Sequence, residues 1–317
     1  MRRFPFRPWT PLALLAGLAL AGTGCGRRDA PSTAPAASAT RPAAERIVAV
    51  GDIHGDYDQF VKTLRAADVI DDKDNWIAGK ARLVQIGDVL DRGPDSRKAM
   101  DLLMKLERQA AGAGGVVHAL IGNHEAMVCM DDWRYVHPGE PKAFGGPAAY
   151  RKAMSPTGKY GKWIRSHDTV LKVDDTLFVH AGLTAAYADT SAAEINKAVR
   201  AELDSGDLNG IVGDPNGPLW TRMLAAGPDA LVARQLDVVL KAHGAKRMVI
   251  AHTVYRGGVV SRAGGRLIRI DVGMSAHYGG PAACLVIEKG VPYEVRAGGS
   301  KRKVPAEPSV EELINAP

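Results

Sequence analysis

The chain has 317 residues, with 41 lysines and arginines against 35 aspartates and glutamates, a formal net charge of +6. Six of those arginines (Arg2, Arg3, Arg7, Arg27, Arg28, Arg41) and one acid, Asp29, fall within residues 1–44, leaving 35 basic and 34 acidic side chains for residues 45–317. The basic balance thus belongs to the leader, the body is close to neutral, and no nucleic-acid partner is expected. The length suffices for one large domain or two small ones.

Residues 1–25, MRRFPFRPWTPLALLAGLALAGTGC, have a positive start, an apolar stretch over residues 12–21 and small residues after it. That is the layout of a signal peptide, and the apolar stretch is short for a membrane span. Ala19-Leu20-Ala21 fits an A-x-A cleavage site. Gly22-Thr23-Gly24-Cys25 resembles a lipobox, except that Gly22 stands where that motif prefers leucine. Arg2-Arg3 forms a twin-arginine pair. An exported protein is expected, either periplasmic or tethered to the membrane as a lipoprotein through Cys25. Residues 26–44, rich in Ala, Pro, Ser and Thr without apolar periodicity, read as a flexible linker.

A single domain is expected over residues 45–295. Short β-rich runs stand at 47–50, 82–86, 116–121, 176–179, 247–250, 266–270 and 284–287, mostly apolar throughout, as in strands covered on both faces. YDQFVKTLRAADVI and DSRKAMDLLMKLERQA carry amphipathic helical patterns between the early runs. Alternation followed by closely spaced strands predicts an α/β core whose later half is more purely β. Residues 296–317 read as a flexible tail with a short solvated helix. Cys129 and Cys284 are compatible with a disulfide or with two unlinked thiols.

The placement of polar residues carries the chemistry. Asp52 and His54 follow the first strand, Asp88 the second, Asn123 and His124 the third; His180 ends the next, and His252 another. Five strands ending in metal-capable side chains would converge at one edge of the sheets, where α/β proteins place their sites. Two carboxylates, one amide and three imidazoles, without a thiolate, suit Mn, Fe or Zn. Six ligands exceed what one catalytic zinc takes and fit two ions sharing a bridging carboxylate.

The motifs Gly51-Asp52-Ile53-His54-Gly55, Gly87-Asp88-Val89-Leu90-Asp91-Arg92-Gly93 and Gly122-Asn123-His124-Glu125 resemble the three signatures of the phosphoprotein phosphatase family, within the calcineurin-like metallophosphoesterases. His180-Ala181-Gly182 and Ala251-His252-Thr253-Val254 fall where that family places its last two histidines. Val254 stands where many other metallophosphoesterases have a second histidine. GPLWTR, AHTV, IDVGMSAHYGG and the stretch from Gly158 to Leu183 resemble the Shewanella-like protein phosphatases, some of which favour phosphotyrosine.

The resemblance implies two packed mixed β-sheets flanked by helices, a helical insertion over the site at residues 126–179 that shapes substrate choice, and two divalent or trivalent metal ions (Mn, Fe or Zn). It implies a metal-dependent phosphomonoesterase, first of all a protein phosphatase acting on Ser/Thr and/or Tyr, with a phosphorylated protein, peptide or small phosphate ester as its partner. Asp52 and His54 would hold the first ion, Asp88 would bridge, and Asn123, His180 and His252 would complete the second. A bridging hydroxide would be the nucleophile, His124 the general acid oriented by Asp91, and Arg92 the phosphate grip. Arg222 is the candidate for a second phosphate-binding arginine, with Arg256 behind it.

Bland readings compete at several positions. An aspartate after a strand is often a helix cap. Glu125 reads as a helix-start carboxylate; His118, His137, His167 and His243 as ordinary surface or core histidines; and His277 as a candidate to approach substrate. A diadenosine tetraphosphate hydrolase or other small-molecule phosphatase shares the three signatures, and an inactive metal-binding scaffold is the nonenzymatic alternative.

Overall fold

The structure is a computed structural model that describes residues 46–308. The expected signal peptide and linker, and residues 309–317 of the expected tail, lie outside the described residues.

The first strand, β1 (Arg46–Val50), is almost wholly buried, as its unbroken apolar run requires. Helix α1 (Tyr57–Ala66) follows, its amide at Gln59 capped by the Asp56 carboxylate at 3.1 Å, with Phe60, Val61 and Leu64 turned inward. Strand β2 (Arg82–Gln85), helix α2 (Ser96–Gly112) and strand β3 (Val116–Ala119) complete a run of three parallel strands joined by two helices.

Four short helices come next: α3 (Asn123–Cys129), α4 (Glu140–Ala143), α5 (Pro147–Met154) and α6 (Lys159–Arg165). Strands β4 (Val170–Val173) and β5 (Thr176–Val179) form an antiparallel hairpin. Helices α7 (Ala192–Ser205), α8 (Met223–Ala226) and α9 (Asp229–Ala242) precede the strands β6 (Arg247–Ile250), β7 (Val260–Arg262) and β8 (Leu267–Arg269). The described chain ends in β9 (Ala283–Glu288), β10 (Val291–Arg296) and β11 (Ser300–Lys303).

Two mixed sheets result, in the orders β11-β10-β9-β1-β2-β3 and β4-β5-β6-β8-β7, and one buried apolar cluster contains residues of both. β1, β2 and β3 of the first sheet and β5 and β6 of the second all deliver their C-terminal ends to the same place. The five-strand convergence expected from the sequence is therefore present.

Two expectations need correction. The insertion is helical only to Arg165, because residues 170–173 and 176–179 are β4 and β5 of the second sheet. The tail is not free from residue 296 either. β11 pairs antiparallel with β10, and the Ser261 amide donates to Pro305 while the Glu307 amide donates to Ser261. Glu307 also pairs with Arg269, so residues 300–307 fasten the edge of one sheet to the other. SKRK looks solvated in sequence because it is: all four residues are exposed on an edge strand, where charge discourages further pairing.

Candidate metal centre and active site

Three turns bring the first sheet's ligands together. The Ile53 and His54 amides both donate to the Asp88 carbonyl at 2.9 Å, and the Gly55 amide donates to Val89 at 2.9 Å, which zips the β1 loop onto the β2 loop. Glu125 ties in the β3 loop. Its buried carboxylate accepts from the amides of Asp88 (2.7 Å), Val89 (2.8 Å), Leu90 (3.2 Å) and Gly122 (2.8 Å). The helix-start reading of Glu125 thus holds, and the side chain additionally fixes the turn that carries Asp88.

The backbone there is strained. His54, Asp88, Asp91, Arg92 and His252 all have φ between 48° and 71°, a region costing non-glycine residues about 1–2 kcal/mol each. Gly87 and Gly122 let these turns approach: a side chain on Gly87 would meet the Gly122 amide at 2.6 Å, and one on Gly122 would meet the Asp88 carboxylate at 2.3 Å.

The six expected ligands and His124 are all buried, none more than 8% exposed. Asp88 Oδ2 lies at the centre, 3.4 Å from His180 Nε2, 3.7 Å from His54 Nε2 and 3.8 Å from His124 Nε2. Asp52 Oδ2 stands 3.7 Å from His54 Nε2. On the other side, Asn123 Oδ1 is 2.9 Å and His252 Nδ1 3.2 Å from His180 Nε2. Two metal-competent groups therefore share Asp88: His54 with His124, and His180 with His252.

The tautomers suit ligation. His54 Nδ1 faces the Leu90 carbonyl at 3.1 Å, and His180 Nδ1 faces the Ile86 carbonyl at 3.0 Å. Each Nδ1–H donates there, so each Nε2 turns a lone pair toward Asp88. His180 Nε2 then faces another lone-pair atom, Asn123 Oδ1, while the buried His252 Nε2 has no partner. Acceptors crowded on acceptors require a cation between them. The residues fit two metal ions.

The electrostatics agree. Burial, together with the neighbouring Asp271 and Asp88 carboxylates, holds Asp52 well above the usual carboxylate range. Burial would also raise Asp88, but the imidazoles of His180 and His124 pull it well below. His54 is pushed down to about 3, chiefly by burial. For His124, burial works downward and is outweighed by Asp88 and the hydrogen bond to Asp91, leaving it raised. Carboxylates gathered in so dry a place need positive charge.

Asp91 Oδ2 accepts from His124 Nδ1 at 2.6 Å and leaves Nε2 directed at the centre, the orientation expected of it. Arg92 is half-buried and borders a cavity of about 590 Å³ together with His54, His137, Ser275 and His277. His277 is thus beside the site, and so is His137, which departs from its ordinary reading. His167 meets Trp163 edge to face and His243 caps the C-terminus of α9, as ordinary histidines do. Arg222 is exposed on the His252 side, donating to the His252 carbonyl (3.1 Å) and Thr253 Oγ1 (3.0 Å). Arg256 is exposed near Gly273. Cys129 and Cys284 are free thiols.

Three residues at the site escaped the sequence reading. Asp271 is buried beside Asp52, with one carboxylate oxygen lacking a hydrogen-bond partner, and burial pushes it up to about 6. Tyr278 packs against His54 with ring centres 5.4 Å apart. Tyr135 packs against both His124 and Arg92. An acid ending β8's run into IDVGMS repeats the strand-end pattern and could have flagged Asp271; the tyrosines carry no such signal.

The calcineurin-like phosphoesterase family model matches residues 45–256. Shewanella-like protein phosphatase 2 of Arabidopsis thaliana is 32% identical, the match covering 73% of this chain and 72% of that protein. Shewanella-like protein phosphatase 1 of Plasmodium berghei is 30% identical, covering 74% and 69%. The crystal structure of a cold-active protein-tyrosine phosphatase from a psychrophilic Shewanella species superposes with a TM-score of 0.75 at 28% identity, covering 82% of this chain and 80% of that one.

Proposed function

This chain belongs to the calcineurin-like phosphoesterase family, in its Shewanella-like branch, and is a metal-dependent phosphoester hydrolase; from that premise we propose that its substrates are phosphorylated side chains of proteins or peptides. The site observation that carries the reading is Asp88 Oδ2 standing within 3.8 Å of three imidazole nitrogens, next to the 2.6 Å Asp91–His124 hydrogen bond.

In this reading Asp52 and His54 would hold one ion, Asn123, His180 and His252 the other, and Asp88 would be shared between them. Such ions, when bound, would acidify a water to serve as nucleophile and would polarise the phosphate oxygens. Arg92 binds the phosphate through its planar fork. His124, its Nδ1–H held by Asp91, gives the Nε2 proton to the departing oxygen of the side chain, and the Asp91 carboxylate steadies the ring. Arg222 contributes a second positive group at the opposite rim. His137, in the loop between α3 and α4, lines the cavity, and in this reading the insertion that carries it selects among substrates.

The test is phosphate release by the full chain with Mn²⁺, beside an Asp88→Asn control, on phosphotyrosine, phosphoserine and phosphothreonine peptides and diadenosine tetraphosphate. Peptide turnover that the substitution abolishes supports the proposal; turnover of the dinucleotide alone overturns it. Manganese, iron or zinc is the proposed occupant, since three oxygen donors and three imidazoles accept any of the three. Export to the periplasm, with Cys25 as a lipid anchor or release after Ala21, is proposed from the leader alone, and the mass of the mature N-terminus distinguishes the two routes.

A further inference from the structure

We infer that Tyr135, in the loop after α3, is a positioning residue that presets Arg92 for the phosphate; the inference rests on the role proposed for Arg92. The ring of Tyr135 lies 3.9 Å from the Arg92 guanidinium carbon, and the Arg92 amide donates to the Tyr135 carbonyl at 3.0 Å. Arg92 holds a left-handed backbone (φ 66°), so its side chain leaves the turn in a direction that a non-glycine residue keeps only when its surroundings impose it. The Tyr135 carbonyl and ring are two such constraints.

What Arg92 lacks is equally informative. Among the described residues no carboxylate lies within ion-pairing distance of its guanidinium, and its buried Nε has no hydrogen-bond partner. A carboxylate could hold the side chain just as firmly, but it would occupy the N–H donors and compete with an incoming phosphate. An aromatic face holds the guanidinium by its plane and leaves the edge donors free. The same ring stands 5.3 Å from the His124 ring, so one side chain borders both the phosphate grip and the proton donor. Arg134, itself paired with Asp132, lies 5.7 Å from the Tyr135 ring and helps to fix it.

The experiment uses inorganic phosphate as a competitive inhibitor of the metal-loaded full chain, with KM and kcat for a phosphopeptide, metal content and melting temperature measured on each variant. Arg92→Ala comes first, and a weakening of phosphate by about tenfold or more is expected. Tyr135→Leu, which keeps apolar bulk but no π face, should weaken phosphate and raise KM by about 3–30-fold, with metal content unchanged. Tyr135→Phe should restore both to within about twofold of the parent, because the face is kept. In the Arg92→Ala background, Tyr135→Leu should have no further effect on phosphate, which is the signature of action through Arg92.

If Arg92→Ala leaves phosphate inhibition unchanged, the role of Arg92 falls. If Arg92→Ala weakens phosphate and Tyr135→Leu does not, the positioning role alone falls. Equal losses from Tyr135→Leu in both backgrounds overturn it as well.

Discussion

The two sheet edges that face each other across the centre are built differently. The first delivers its ligands on left-handed turns clamped by a charged group, Glu125, which accepts four backbone amides. The second delivers His180 from the end of β5 and His252 from the end of β6. Arg222 donates to the His252 carbonyl at 3.1 Å, and at the start of β4 the neutral Asn196 of α7 accepts the Thr169 and Val170 amides at 2.8 Å and returns a hydrogen bond to the Val170 carbonyl. The first edge is a preassembled cage, and the second supplies donors to it. Four of the five left-handed residues, His54, Asp88, Asp91 and Arg92, and the buried carboxylate clamp lie on the side that carries the shared ligand, and His252 is the fifth, on the other side.

That asymmetry can be broken in graded steps. The largest effect belongs to Asp88→Asn, which removes the shared charge: turnover should fall by about 10³-fold or more, and metal content below two ions per chain by elemental analysis. His252→Ala, on the second edge, should lower metal content while Asp88 and the first edge keep their structure, seen as an unchanged urea midpoint with metal chelated.

Glu125→Gln should cost about 3–5 kcal/mol in urea unfolding, since the amide presents N–H groups to backbone donors in a buried place. Asn196→Ala should cost only about 1–3 kcal/mol by the same measurement and leave turnover intact. Equal costs would erase the distinction between the two edges.

The smallest effect is a pH slope at Glu140, which joins α4 to the start of α2 through the Ser96 and Arg97 amides. Burial pushes its carboxyl up to about 7 from an ordinary 4.5. The fold thus favours the protonated form. Stability from this group is full below about pH 4.5 and is lost as pH rises through about 7. Unfolding free energies at pH 5 and pH 8 should differ less in Glu140→Gln than in the parent.

Legibility in the sequence followed the same asymmetry. On the first edge a tight turn packs several functions into five to seven neighbouring residues, so Asp52, His54, Asp88, Asp91, Arg92, Asn123 and His124 could be read together. On the second, His180 and His252 are single residues, legible as metal-capable side chains at strand ends, while the roles of Asp91 and Arg92 on the first edge came from resemblance. β4 escaped because Val170-Leu171-Lys172-Val173 is too short to show a period. β11 escaped because an edge strand of lysine, arginine and serine looks like solvent-exposed tail. Tyr135 and Asp271 escaped for another reason: each matters through a neighbour far along the chain, Arg92 and Asp52, and periodicity carries no such information.

The central claim is that Asp88 is the shared ligand of a two-ion hydrolytic centre. It is tested most directly by measuring metal content and phosphopeptide turnover on the same preparations of parent and Asp88→Asn. The account predicts about two ions per chain in the active parent, with loss of both metal and turnover in the variant. Full turnover in Asp88→Asn, or an active parent holding no metal after dialysis against chelator, would contradict it.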